Sequence, residues 1–554
     1  MKRLYIFIWT LLAVGSIGAQ SLSNNKGKLQ AQVNPLQLTF HRLAVRRFLF
    51  TNNIPLSELK PSEVVAFNSM HPSFKVCEVD TAKAGDEAQA ELSGGCLVLS
   101  SPAGEKTSQP AIYAGGINPY ATYELDVRSV QLPAGGSPVE VGIDLATLGL
   151  RNRVQVMVRY GGDKPGVYLR IFTEARMVKE VIYSEGKPLQ PPYLLQLQLS
   201  GNSLAIFSTR DGKTTYIGHT TPKEHLGEAV DFRNRKLASS STFNIAASLP
   251  PASTVTIGKA CSYLSPGVGQ ADVRFITHKD GSPLLDDNRL WFTFSCRGLG
   301  IDQSAQGVMS FNPSVFDLRF EGMIVFDHGD GLLRNDYASH LFYDDDAREW
   351  RAYTCDFGGV AGREGRGASG LVTATSSHDP RHGFSVMKAK VVTNENVPGS
   401  NEDPCIIYDS SVKKWRLLTS SFVEKNIRAS IFESNQWNGK FTKIGGPVPY
   451  NSTGTVIQKI GGKRYAFIGG NGPMRVYSYP ELTALGELKF DLPPHWPGAP
   501  GRIWANIISL PAGFPYRYML LTMDRPNFPE VKGSNWSYGA LYLYGAYTDD
   551  ISNQ

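Results

Sequence analysis

The chain has 554 residues, a length too great for one hydrophobic core, so two domains or more are expected. Charged residues at 19% with no long charge run exclude a disordered polyelectrolyte, and the net charge of +6 comes from scattered Lys and Arg with no polybasic block, which argues against a nucleic-acid partner. Aromatics at 11% with 55 Gly and 34 Pro suit many short strands separated by turns, so the expected class is all-β.

Residues 1–19 predict a signal peptide. Lys2 and Arg3 precede the apolar run Leu4 to Val14, and the small residues Gly15, Ser16, Gly18 and Ala19 offer a cleavage point before Gln20. The expected location is the periplasm or the exterior of a bacterium. This run is too short for a membrane span, no later stretch reaches the roughly 20 apolar residues that a span needs, and no Cys follows it as a lipid-anchor site. In an exported chain cysteines can pair, and Cys77 with Cys96 has the spacing of a local bridge. Cys355 and Cys405 lie in strand patterns, where a thiol acts as a small buried apolar group. There is no CxxC arrangement, so neither zinc nor any other metal or cofactor is called for.

Residues 20–254 predict a β-sandwich. Ala121 to Val127, Val154 to Tyr160 and Tyr168 to Phe172 alternate apolar and polar residues, the period of half-buried antiparallel strands. Tyr193 to Phe207 is a strand, a Gly201-Asn202 turn and a second strand. The texture resembles the concanavalin-like jelly-roll modules found beside carbohydrate-active domains, which implies a glycan-binding or buttressing role. Leu249-Pro250-Pro251-Ala252-Ser253-Thr254 is the expected linker.

Residues 255–554 repeat a hairpin five times. Asp272 to Ile276 leads to Leu290 to Phe294, Asp336 to Phe342 to Trp350 to Tyr353, and Asn401 to Tyr408 to Trp415 to Leu418. Thr455 to Ile457 leads to Tyr465 to Ile468, and Ala505 to Ile508 to Tyr518 to Leu521. Units of this size predict a five-bladed β-propeller. In a propeller the heads of the innermost strands converge on one funnel, so Asp272, Asp336 and the Glu402-Asp403 pair are expected to meet there. Convergent carboxylates suit glycoside hydrolysis, in which one acid protonates the leaving oxygen and one carboxylate activates water or attacks the anomeric carbon.

These residues resemble the five-bladed propeller glycosidases of glycoside hydrolase family 43. The resemblance implies Asp272 as general base, Asp336 as the residue tuning the acid, and Glu402, in Glu402-Asp403-Pro404, as general acid. It further implies an exo-acting, inverting enzyme that removes a furanoside or similar sugar from a poly- or oligosaccharide. No obligate protein partner is evident. The motifs depart from the family: Val273 stands where Pro often follows the base, and Asp403 where Gly is expected between Glu402 and Pro404. Glu402 and Asp403 cannot share a face of a regular strand, and hairpin register aligns Asp403 with Asp272 and Asp336, which makes Asp403 the alternative acid.

His328, Arg334 and Asn335 precede Asp336 in a Gly-rich loop and are candidates for binding hydroxyls or an acidic sugar. Arg274 and His340 follow their acids at even offsets, and Trp504 heads blade five, where it could stack on a sugar. Against all of these stands the ordinary role of Asp at a strand mouth, which is to cap turn amides. The aspartates at 286, 287 and 344 to 346 sit in turns as solvated residues rather than calcium ligands. The chain lacks Gly-x-Gly-x-x-Gly, Walker, His-Glu-x-x-His and Gly-x-Ser-x-Gly motifs. Two other readings remain: a non-catalytic glycan-binding propeller, and a propeller polysaccharide lyase with His328, His340 or Tyr337 as base.

Overall fold

The computed structural model describes residues 33–59, 88–104, 106–147, 151–220, 230–300, 303–358, 370–491, 502–523, 526–532 and 535–547. The signal-peptide segment and Cys77 lie outside them, and the five described cysteines are free thiols. Strands dominate; the α-helix Arg235–Ser239 is short, and no described helix is long and apolar enough to cross a membrane.

Two sheets form the sandwich. One runs Arg176–Ile182, Gly166–Thr173, Arg153–Tyr160, Val139–Thr147, Ser241–Ser248, Ala111–Gly116. The other runs Lys213–Thr220, Ser203–Arg210, Tyr193–Ser200, Thr122–Gln131, Thr254–Leu264, Cys96–Ser100, Gln89–Ser93, with Ile54–Pro55 added to Thr254–Leu264. Alternation explains the layering: Val139, Val141, Ile143 and Leu145 join Leu195 and Leu197 in one core, as period-two strands require. Between them Glu140 faces outward to Arg159 and Arg170. Asp144, also on that face, is fully buried, and burial pushes its carboxyl up to about 6.

The propeller has the five expected blades. Their inner strands are Gly269–Phe275, Tyr337–Asp344, Asn401–Asp409, Thr455–Ile460 and Ile507–Ser509. Each pairs antiparallel with the next strand of its blade, Arg289–Arg297, Glu349–Cys355, Lys414–Val423, Lys463–Ile468 and Tyr518–Met523. Blades one and two are joined at their outer edges, where Arg319–Asp327 pairs parallel with Gly383–Val391. Asp344 is not a solvated turn residue; it is buried between Lys279 and Arg351.

The domain boundary expected at residue 254 is displaced. Thr254–Leu264 is a strand of the sandwich, paired with Thr122–Gln131, so the chain leaves that domain after Leu264. The expected linker is a turn within it, with Ala252 at φ 61° and the Ser253 hydroxyl donating to the Pro250 carbonyl at 2.6 Å. In the other direction, Thr39–Arg46 belongs to the propeller: it pairs with Leu541–Ala546 as an outer strand of blade five. The sandwich is therefore inserted between the strand that closes the propeller and blade one. Burial explains why this closure holds, since Leu38 and Phe40 pack with Ile457, Leu520, Tyr542 and Tyr544, at about 1.5–3 kcal/mol for each apolar side chain removed from water.

A fragment of residues 255–554 lacks that strand and leaves the buried strand Leu541–Ala546 as an open edge. It is expected to associate or precipitate in size-exclusion chromatography. A monodisperse monomer unfolding at the temperature of the full chain would contradict the closure.

Candidate active site

The heads of three inner strands share one distortion. In blade one, Ala271 pairs with Ser295 and Arg274 with Thr293, so two residues oppose one. Blade two repeats this between Tyr337 and His340, and blade three between Glu402 and Cys405. Each bulge carries a residue in the left-handed region: Asp272 at φ 52°, Ala338 at 61° and Asp403 at 56°. In blades two and three a threonine hydroxyl fixes the turn, with Thr354 donating to the Tyr337 carbonyl at 3.0 Å and Thr419 to that of Glu402 at 2.6 Å.

The bulges decide which side chains meet. A pocket of about 230 Å³ at this end of the axis is lined by Asp272, Tyr337, Phe357, Glu402, Asp403, Ile427, Trp504, Met523, Trp536 and Tyr538. Glu402 and Asp403 both line it because the strand is not regular there. The register expected from the hairpins is corrected as well: Asp403 is equivalent to Asp272 and to Ala338, two residues beyond Asp336.

Hydrogen bonds set the carboxylates. Asp272 accepts from the Ser295 hydroxyl at 2.6 Å. Asp403 accepts from the Gly454 N–H at 3.1 Å, while its own N–H donates to the Cys355 sulfur at 3.2 Å. Burial pushes the Cys355 thiol up, and the negative charges of Asp403, Glu402 and Asp272 add to the effect, so all three carboxylates act on one buried sulfur. A neutral thiol is the form that suits this place.

The other expected residues lie elsewhere. Asp336 is fully buried and absent from the lining; it accepts the Gly358 N–H at 2.9 Å and pairs with His328 Nε2 at 2.8 Å. Arg334 is tied to Asp330, and Asn335 donates to the Ser304 carbonyl at 2.7 Å. His340 is enclosed: its Nδ1 accepts the Ile406 N–H at 3.0 Å, and its Nε2 meets the Thr277 hydroxyl at 3.1 Å. Burial, then Arg274, holds its pKa well below the ordinary value, so it stays neutral. Arg274, past the bulge, is buried and donates to the Thr455 carbonyl. None of these five, nor Arg274, reaches the pocket lining, because each is consumed by a structural partner.

Trp504 lines the pocket, yet its ring lies on Gly454, where an added Cβ would stand 2.7–2.8 Å from ring carbons. Its buried Nε1–H has no partner among the described residues. Gly454 covers one face of the indole, so at most the other is open for the stacking expected from the sequence. Sequence reading passed over Phe357, Ile427, Met523, Trp536 and Tyr538. For Trp536 and Tyr538 a signal exists, since two aromatics within Asn535-Trp536-Ser537-Tyr538 are out of place in a polar loop. Among the described residues no cluster of three His, Cys, Asp or Glu is placed to hold a metal ion.

No protein-family model matches the chain, and no curated protein matches it. Among solved structures, a thermostable family-43 glycoside hydrolase is 11% identical over 50% of this chain and 92% of its own, with a TM-score of 0.34. The catalytic domain of a GH62 α-L-arabinofuranosidase from Coprinopsis cinerea is 13% identical over 50% and 90%, with a TM-score of 0.34. Zg3597, a family 117 glycoside hydrolase of Zobellia galactanivorans, is 10% identical over 50% and 85%, with a TM-score of 0.33. At these scores the likeness assigns no residue a role.

Gly454 joins three features, with φ at +69°, an N–H on Asp403 and the Trp504 ring on its Cα. Gly454→Ala is expected to cost about 1–3 kcal/mol and to shift the tryptophan emission of the folded protein. Unchanged emission and thermal unfolding would show that the ring does not rest there.

Proposed function

We propose that the protein is an exported glycoside hydrolase that removes a single terminal sugar by carboxylate acid/base catalysis. The observation that carries this reading is the convergence of Asp272 from blade one with Glu402 and Asp403 from blade three in one aromatic-walled pocket. Opposed carboxylates are the minimal apparatus for protonating a glycosidic oxygen and activating water. At about 230 Å³ the pocket is smaller than the roughly 300–1,000 Å³ of clefts for drug-sized ligands, which suits one ring and an exo-acting mode.

Roles follow from the hydrogen bonds and the resemblance. Asp272, oriented by Ser295, acts as the base. Glu402 is assigned as the general acid, as the resemblance to family 43 implies, with Asp403, held by the Gly454 N–H, as its neighbour. Asp403 then supplies the neighbouring negative charge that the sequence reading gave to Asp336. The reaction is assigned to inversion, as the resemblance to family 43 implies, with water between the sugar and Asp272.

The test is a panel of aryl glycosides and polysaccharides, with the first-formed anomer followed by NMR. Asp272→Asn and Glu402→Gln are each expected to lower kcat by about 10²–10⁴ with thermal unfolding unchanged. Full activity in both variants would overturn the assignment, and a first-formed product with the substrate's anomeric configuration would overturn inversion.

A further inference from the structure

One buried side chain of the sandwich reaches the pocket wall. Arg233, in the sandwich just before the short helix, is buried, and its Nη1 donates to the Gly358 carbonyl at 2.9 Å. The rest of the guanidinium is held by Asp231 through Nε at 2.9 Å and Nη2 at 2.7 Å. Its stem lies over Gly201, where an added Cβ would stand 2.4 Å from the Arg233 Cγ. The arginine is thus fixed at both ends before it reaches the propeller.

Gly358 in turn is locked on the propeller side. Its N–H donates to Asp336, whose other oxygen is held by His328, and an added Cβ would stand 2.8 Å from the Asn335 nitrogen. The preceding residue, Phe357, stacks on Tyr337 with ring centroids 4.5 Å apart, and both rings line the pocket. One residue, Gly358, therefore accepts from the sandwich's arginine at its carbonyl and donates to the propeller's aspartate from its N–H, next to the aromatic wall beside the carboxylates.

We propose that Arg233 is a positioning residue for the pocket, and that the sandwich serves as the buttress of the active-site wall. This rests on the glycosidase reading for its kinetic consequence, but not for its structural one. Loss of Arg233 releases the Gly358 carbonyl, and Phe357 leaves its place against Tyr337. A second bond between the domains provides a control: the Tyr120 hydroxyl donates to the Leu333 carbonyl at 2.6 Å without touching Gly358.

The experiment compares full-length Arg233→Ala, Arg233→Lys and Tyr120→Phe by hydrogen exchange and by steady-state kinetics. Arg233→Ala is expected to speed exchange in peptides spanning Cys355 to Gly358 and to raise KM about ten- to a hundredfold, with a smaller change in kcat. Arg233→Lys, which keeps the charge but cannot fork between Asp231 and Gly358, is expected to recover part of both. Tyr120→Phe is expected to match wild type at those peptides. Wild-type exchange at Cys355 to Gly358 in both arginine variants, or the same change in Tyr120→Phe, would overturn the proposal. If no glycoside is ever turned over, the hydrolase reading fails, and the exchange measurement still decides whether Arg233 holds the wall.

Discussion

A left-handed residue at the head of an inner strand is the constraint on which the site depends. A regular strand turns successive side chains to opposite faces, so a funnel built from regular strands receives one side chain in two. The bulges at Asp272, Ala338 and Asp403 break that alternation at one level of the axis. Two are aspartates, whose short polar side chain tolerates this conformation, whereas Ala338 bears the cost of about 1–2 kcal/mol without such help. The threonines at 354 and 419 and the Asp403 contacts to Gly454 and Cys355 hold the turns in place.

Below that level the axis is filled rather than open. Arg274, His340 and Cys405 occupy equivalent positions after the three bulges, and all are buried. Each has a backbone group to satisfy: Arg274 the Thr455 carbonyl, His340 the Ile406 amide, and Cys405 the Ile457 amide at 3.3 Å. Two of these bonds tie blades two and three to the next blade, and the Arg274 bond runs across the axis from blade one to blade four. They give the pocket a floor, and the reactive groups end at the carboxylates.

The propeller is closed by a strand from the far side of the sandwich. Non-local pairing of Thr39–Arg46 with Leu541–Ala546 removes the open edge of blade five, and it makes the sandwich an insertion rather than an appendage. A domain fixed at both chain connections is suited to supply a rigid wall.

Much of the architecture was legible because it is local. Period-two runs separated by Gly, Pro and Asp turns marked the strands of both domains and all five inner hairpins, including the tight turn at Gly201-Asn202. The same reading found Asp272, Glu402, Asp403 and Trp504, since residues at strand heads must converge in a propeller. What it could not supply depends on contacts distant in sequence. A bulge depends on the partner strand, so nothing local to Glu402-Asp403 announces that both face inward or that Asp403 matches Ala338 rather than Asp336. Asp336, His328 and His340 carry the residue types of a catalytic site, yet partners many residues away enclose them. Sequence alone determined the strands and the chemistry available at their heads; the tertiary structure decided which carboxylates reach open space, because burial and register are properties of the assembled sheets.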